Sequence, residues 1–503
     1  MTRLATSTAL ALCLGASPAL ADLTTQQVWD RLETTMTDMG YTVTATETAS
    51  GNALEITDMT LVYALPDDEG TVTAEIARLS FAENGDGSVL VEMSDSVPIT
   101  IVASLPDEEP ERTVMTYNDG DLTVTISGTP SDLQYDYTGS AVSISLVEML
   151  VDGEPMMTDD SRFDVTLSDV SGSATIKNAP GQPSDVTQES RIASLAYDLA
   201  FPDELTGDMA QITGALEDVT LDSQSSLPEG FNPNDPEAMA IEGFESRVNM
   251  AYASGAMTFA VPGEAGINTG TSQSASGAFE LVAEDGSFTY DMSAEDLSYA
   301  MTSAELPVPV NVDMSAFGLR LTFPTMASDT PEDVGVALTL SDLALSDAIW
   351  SLFDSAGVLP RDPATLVLNL TGQVTPNMSL MQPEAMVAGG VPGELNALTL
   401  ENFEIDAAGA KLTGTGDFRF DNDDLQTFGG VPRPEGSATF SVSGANALID
   451  KLISMGVLTS EDAMGARMMM GMFAVPGDAP DSLNSTITIN EQGHVLANGM
   501  RIQ

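Results

Sequence analysis

The sequence is poor in the side chains that most often carry chemistry. Among its 503 residues it has one cysteine, Cys13, and one histidine, His494. A Ser–His–Asp triad needs a histidine beside its nucleophile, and ordinary zinc or copper sites need several histidines or cysteines. The sequence also has no glycine-rich phosphate loop, dinucleotide-binding fingerprint or nucleophile elbow. We therefore expect no disulfide, metal or cofactor, and a protein that is not an enzyme.

Positive charge is also scarce. Lysine and arginine together number 16 against 76 aspartates and glutamates, which gives a net charge of −60. A surface of this sign repels phosphate, so nucleic acid is excluded as a partner and anionic lipid headgroups are disfavoured. Intrinsic disorder does not fit either, because 43% of the residues are hydrophobic and they are spread along the whole chain. We interpret the acidity as a means of staying soluble.

Long apolar runs are absent beyond the N-terminus. Arg3 precedes an apolar segment, Leu4 to Leu14, and a small-residue cleavage site ends at Ala21. This order is typical of a signal peptide, here residues 1–21, whose apolar part is too short to span a bilayer. We predict export to the periplasm, or alternatively secretion, and no transmembrane segment in the mature chain.

Alternation of apolar and polar residues is the main pattern that is present. It begins near Tyr41, and turn residues such as Asn, Asp and Gly separate the alternating runs. Period-two alternation predicts strands with one buried and one wet face, and short turns predict antiparallel hairpins. We predict a mainly β (β-rich α+β) fold of long meandering antiparallel sheets, curved or sandwich-like. Residues 41–227 form a first β region and 228–503 a second, as two domains or as one continuous unit.

A few amphipathic helices are expected to cap these sheets. The first occupies residues 22–40, where Thr24 and Gln27 have the spacing of a capping box and Gly40 ends the helix. Further helices are predicted at Asp235–Phe244, Ser346–Ala356, Asn446–Met455 and Thr459–Met472, and Pro376–Pro392 is predicted as a methionine-bearing loop or helix.

The helix after Ser346 opens a well-marked unit, residues 345–372. Ser346 is a good N-cap residue, and Trp350 and Phe353 belong to one apolar stripe that is expected to pack on a sheet. Gly357 stands where a left-handed residue would end the helix.

A rigid link follows this helix. Pro360 and Pro363 bracket Arg361 and Asp362 and prevent further helix. Because cations are scarce, Arg361 attracts attention. We expect it to bond carbonyl groups at the end of the helix or to pair with a nearby acid.

The run Gly357–Leu366, GVLPRDPATL, resembles the hallmark of an uncharacterised family of secreted alphaproteobacterial proteins, catalogued as a domain of unknown function. Further resemblance to it lies in Val28–Trp29, Gly409–Gly416 and Ala447–Met455. The resemblance covers the whole chain and implies a shared compartment and fold, without an activity. More loosely, the glycine-spaced strands resemble AsmA-type β-rich envelope proteins, which are associated with lipid handling.

Methionines at helical spacing are the last notable feature. Met464, Met468 and Met472 form a stripe that would either pack on a sheet or line an apolar groove. Copper binding is disfavoured, since no histidine or cysteine supports it. Together with Trp350 and Phe353, these methionines are our candidate lining of a hydrophobic groove.

These observations favour a non-enzymatic periplasmic envelope protein. Our leading hypothesis is that a concave apolar sheet face holds or shields a lipid-like ligand. The alternatives are a structural or protein-interaction module with a filled core, whose partner is an envelope protein, and a carboxylate-based glycan hydrolase.

Overall fold

The computed structural model describes residues 23–65, 70–103, 111–151, 153–158, 160–178, 182–203, 206–229, 231, 241, 243–378 and 393–503. Three predictions fall wholly or largely outside these residues: the signal peptide, the helix from Asp235 and the segment Pro376–Pro392.

The described residues form one antiparallel sheet of 27 strands. In chain order these are β1 (Tyr41–Ser50), β2 (Ala53–Ala64), β3 (Gly70–Glu83), β4 (Val89–Met93), β5 (Ser96–Ala103), β6 (Glu111–Asn118), β7 (Thr123–Thr129), β8 (Asp132–Val151), β9 (Glu154–Pro155), β10 (Arg162–Asn178), β11 (Ser184–Pro202), β12 (Met209–Leu227), β13 (Glu245–Tyr252), β14 (Ser254–Gly263), β15 (Gly266–Ser274), β16 (Ser276–Glu284), β17 (Ser287–Thr302), β18 (Val310–Pro324), β19 (Glu332–Leu345), β20 (Ala364–Pro376), β21 (Gly393–Ala407), β22 (Ala410–Asp421), β23 (Arg433–Ser443), β24 (Val475–Pro476), β25 (Ser482–Ile489), β26 (Val495–Ala497) and β27 (Met500–Arg501). Strands take 66% of the chain and helices 10%, which confirms the predicted mainly β fold.

The sheet is a meander in which neighbours in the chain are neighbours in space. Some consecutive short strands lie end to end and together pair with one long neighbour. Thus β4 and β5 both pair with β3, and β6 and β7 both pair with β8. In the same way β12 pairs with β13 and β14, so the sheet continues past residue 227. No crossover connection interrupts the described part of this sheet.

The two faces of the sheet differ in chemistry. One face carries ladders of hydroxyl side chains, in which Thr213 Oγ1 lies 2.6 Å from Thr258 Oγ1 on the neighbouring strand. On the other face a line of directly paired residues runs from β2 to β23 and is called here the apolar row. Its members are Leu54, Phe81, Val91, Val124, Tyr137, Gly172, Ser190, Leu221, Met250, Phe279, Met292, Leu319, Leu338, Leu368, Phe403, Gly414 and Phe440.

A line of backbone irregularities crosses the sheet from β1 to β19, and we call it the crease. The strand pairing skips a residue there, for example where Asp169 faces Ala193, which in turn faces Asp218. Six aspartates on this line have left-handed backbone, with φ between 48° and 58°: Asp58, Asp121, Asp169, Asp218, Asp296 and Asp342. Aspartate tolerates this conformation better than most residues. The register is the same on both sides of the crease, so each of two facing strands carries one extra unpaired residue, and such an irregularity bends the strands much as a β-bulge does. The crease therefore folds each long strand into two halves.

Four described helices accompany the sheet: α1 (Thr25–Asp38), α2 (Asp347–Phe353), α3 (Ala445–Ser454) and α4 (Ser460–Phe473). The predicted capping box of α1 is present, since the Gln27 amide donates to Thr24 Oγ1 and the Thr24 amide donates to Gln27 Oε1. Among the described helices, none has the length and apolar character needed to cross a membrane.

Candidate functional site

The crease turns the apolar face into a concave trough. Val170, Ile192 and Val219 lie beside the crease on adjacent strands and are only 2% to 9% exposed. Side chains from the opposite strand halves, including Leu167 and Leu216, pack against them. Apolar side chains from both halves of these strands thus contact one another across the crease. The apolar face is therefore the inner side of the bend.

An open groove of about 430 Å³ lies across the crease on this inner side. It is lined by Tyr117, Leu122, Val124, Tyr135, Tyr137, Val142, Leu167, Val170, Ala174, Ile176 and Gln188. Burial raises the pKa of the Tyr135 hydroxyl, and burial followed by the charge of Asp119 raises the pKa of Tyr117. Both phenols therefore stay neutral at physiological pH, which suits an apolar lining.

Glycines let aromatic rings lie flat along the trough. Gly172 pairs directly with Tyr137, and Gly214 pairs directly with Tyr197. A Cβ added at either glycine would come within 2.6 Å of the facing tyrosine, so only glycine fits beneath these rings.

The N-terminal end of the trough is filled by α1. Val28 and Trp29 of this helix pack with Leu54, Phe81 and Met59 in a cluster of buried apolar residues, in which Trp29 has no exposed surface. Trp29 is also held by its indole nitrogen, which donates to Glu47 Oε1 at 3.0 Å. This end of the molecule is therefore an ordinary packed core.

Beyond α1 the apolar row is not covered in this way. The two clusters of buried apolar residues in the described part of the chain lie within residues 23–133 and 170–219. From β12 onward, the large side chains of the row are all only half-buried: Leu221, Met250, Phe279, Met292, Leu319, Leu338, Leu368, Phe403 and Phe440. The second half of the described sheet thus presents an apolar face without a packed layer over it.

A comparison with protein-family models gives a match for the second half of the chain. Residues 233–502 match the model described as "Uncharacterized protein conserved in bacteria (DUF2125)", which covers more than half of the chain. The chain belongs to this family. The DUF2125 match contains the GVLPRDPATL run and the apolar row from Met250 onward, and it confirms the predicted membership of a family of unknown function.

The DUF2125 match begins after β12, so α1 and the predicted Val28–Trp29 resemblance lie outside it. Neither the comparison with curated proteins nor that with solved structures found a match. The looser likeness to AsmA-type proteins is therefore not confirmed.

The structure corrects our prediction for α2. This helix has only seven residues, none of them buried, and Phe353 is 50% exposed instead of packed on the sheet. Ser346 is the N-cap residue, but its hydroxyl makes no capping hydrogen bond. Gly357 has the predicted left-handed backbone, with φ of 64°, but it follows a turn after the helix end.

Arg361 makes both predicted contacts. Its guanidinium pairs with Asp347 at the start of α2 and donates to the carbonyl oxygen of Asp354 at 3.4 Å. It also lies 5.9 Å from the ring centre of Trp350, within range of a cation–π contact.

Asp354 is the residue of this unit that our sequence analysis missed. Its buried carboxylate accepts from the amides of Val358 at 2.9 Å and Leu359 at 2.8 Å. These hydrogen bonds, with that from Val358 first, lower the pKa of Asp354. The carboxylate thus fixes the chain just before Pro360, and Arg361, Asp362 and Pro363 follow from there into β20.

The methionine stripe lies on α4, away from the floor of the trough. Met464, Met468 and Met472 are between 50% and 68% exposed, so they do not pack on the sheet. The helix is held on its other side, where Arg467 donates to Asp450 of α3 at 2.7 Å. The concave apolar face is formed by strand residues, and the five residues predicted to line a groove stand on α2 and α4.

A signal for the crease was present in the sequence. In β10 the apolar positions run Val165, Leu167 and then Val170, so the alternation slips by one residue at Asp169. The same slip next to an aspartate occurs in β12 and β19. A slip of this kind in the middle of an alternating run indicates a bulge-like irregularity, and its recurrence indicates a bend shared by neighbouring strands.

Proposed function

We propose that this DUF2125 protein is a non-enzymatic periplasmic protein whose trough holds or shields lipid-like molecules. One observation carries the proposal: the apolar row continues for many strands beyond the helix that covers its first part. Export by a signal peptide, residues 1–21, is part of the proposal and places the protein where envelope lipids are found.

The free energy gained by burying apolar surface favours a ligand on the open part of the apolar row. Apolar surface gains about 25 cal/mol for each Å² removed from water. At the N-terminal end α1 supplies this cover, and the residues below it, such as Phe81, are completely buried. Contiguous apolar patches larger than a few hundred Å² are uncommon on soluble proteins and mark binding surfaces. An alkyl chain fits this need, because the row offers few polar partners.

The hydrolase alternative gains no support from the spacing of one pair of carboxylates. Asp333 on β19 and Asp417 on β22 border one groove on the hydroxyl-rich face. Three strand spacings separate β19 from β22, which is about 14 Å along the sheet. Glycosidase carboxyl groups stand roughly 5 to 9.5 Å apart.

Mass spectrometry of organic extracts tests the proposal. Protein released from the periplasm by osmotic shock, and purified without detergent, should carry stoichiometric amphiphile, and its chain should begin at Asp22. The variant Leu338→Glu/Leu368→Glu places charges on the apolar row, and Thr339→Glu/Asn369→Glu places the same charges on the opposite face. A charge against acyl chains costs about 2.5–3.5 kcal/mol, so only the first variant should carry less amphiphile than the wild type.

Two results would contradict the proposal. One is wild-type protein without any bound amphiphile. The other is equal amphiphile content in the two variants, with circular dichroism showing both to be folded. Co-purification of a stoichiometric protein in place of lipid would favour the interaction-module alternative.

A further inference from the structure

The open part of the trough is much longer than one acyl chain. Between Leu221 on β12 and Phe440 on β23 the apolar row crosses nine strand spacings. At about 4.8 Å for each spacing this part is about 43 Å long. A bilayer interior of about 30 Å contains two acyl layers, so one chain extends about 15 Å. A single chain would leave most of the row uncovered.

One border of the trough is acidic. On the side where β3 turns into β4 and β16 turns into β17, the described turn residues include no lysine or arginine. The acids of these turns, called here the acidic margin, are Asp86, Glu229, Asp285, Asp329, Asp423, Asp424 and Glu491, of which Asp424 is paired with Arg433 of β23 at 3.1 Å.

Two members of the acidic margin are held in the charged form. A hydrogen bond from the Ser88 hydroxyl lowers the pKa of Asp86, and one from the Thr427 hydroxyl lowers the pKa of Asp424. A line of fixed carboxylates repels anionic headgroups and attracts ammonium groups.

Resting on the proposed function, we infer that the trough binds several amphiphiles at once, in a row, and selects zwitterionic headgroups that carry an ammonium group. The apolar row supplies continuous cover for consecutive acyl chains. The acidic margin selects the headgroups, which remain in water at the border of the sheet.

Native mass spectrometry tests this inference on the delipidated full chain. We would incubate the protein with vesicles of phosphatidylcholine, or of phosphatidylglycerol with the same acyl chains, in low salt. We expect at least two phosphatidylcholines per protein and severalfold less phosphatidylglycerol. Raising the salt to 0.5 M should reduce this difference, because screening shortens the range of the margin's charge.

Variants separate the two parts of the inference. Leu338→Glu/Leu368→Glu, in the middle of the open row, should lower the number of bound lipids without abolishing binding. Asp285→Asn/Asp329→Asn/Glu491→Gln, on the acidic margin, should increase phosphatidylglycerol binding at least twofold and so reduce the difference between the two lipids.

The outcomes are distinguishable. A maximum of one lipid per protein would overturn binding in a row, and equal binding of the two lipids at low salt would overturn headgroup selection. If the protein bound neither of the two lipids and no apolar fluorescent probe, the proposed function itself would be overturned.

Discussion

At the scale of single residues, the two tryptophans of the chain show how one residue type serves two environments. Trp29 is enclosed, with its ring in edge contact with Phe81 at 6.2 Å between centres. Trp350 is half-buried and lies between Phe353, at 4.9 Å, and the guanidinium of Arg361. Both stand in amphipathic sequence patterns, but only the first contributes to a packed core.

This difference predicts unequal effects of truncation. Trp29→Ala should lower the free energy of unfolding by about 3–5 kcal/mol, because it leaves a large cavity under α1. Trp350→Ala should cost about 1 kcal/mol, the size of an exposed cation–π contact. Urea unfolding followed by far-ultraviolet circular dichroism measures both changes. Equal losses would mean that Trp350, too, is part of a core.

At the scale of elements, the crease bends the long strands and so makes the apolar face of the sheet concave. A strand of 15 to 20 residues would otherwise continue straight through the sheet with a gentle twist. The left-handed aspartates interrupt the pairing at matching positions, so that each strand bends where its neighbours bend. The trough therefore depends on a backbone conformation more than on any one side-chain contact.

The crease can be tested at Asp218, which has a φ of 51°. Asp218→Val places a β-branched residue in left-handed backbone and should lower the free energy of unfolding by about 1–3 kcal/mol. Asp218→Gly removes the same carboxylate but accepts this backbone, and should stay close to wild type. Thermal unfolding compares the two variants. If glycine were as harmful as valine, the carboxylate, and not the backbone, would hold the bend.

At the scale of the whole molecule, negative charge opposes the compact state. The net charge of −60 is spread over a sheet whose few cations are mostly engaged, as in the Arg433 contacts with Asp421 at 2.6 Å and Asp424 at 3.1 Å. Most acids have no such partner among the described ion pairs. Their mutual repulsion is relieved when the chain unfolds and the charges move apart.

This repulsion predicts stabilisation by salt. The screening length falls from about 30 Å at 0.01 M to about 8 Å at 0.15 M salt. The thermal unfolding midpoint should therefore rise by several degrees between these concentrations of sodium chloride, and then level off. A midpoint that falls with salt would show that ion pairs such as those of Arg433 outweigh the general repulsion.

The sequence by itself determined the mainly β character, the antiparallel hairpins and the capping box of α1, because these depend on local periodicity and on residues a few positions apart. It also indicated Arg361 as a residue with partners nearby. Residue 227, our predicted border between two β regions, shows the limit of such patterns, since the pairing of β12 with β13 and β14 joins the strands on both sides into one sheet.

Only the tertiary structure decided what covers each apolar face. The alternation in β2 and in β19 is similar, yet Leu54 is fully buried beneath α1 while Leu338 is only half-buried. The capping of α3 by Asp481, whose carboxylate accepts from the amide of Ala447, could not be predicted from local patterns for the same reason, because Asp481 lies 34 residues further along the chain. Periodicity tells which side of a strand is apolar, but burial is set by chain segments far away in sequence, whose positions follow from the pairing of the entire sheet.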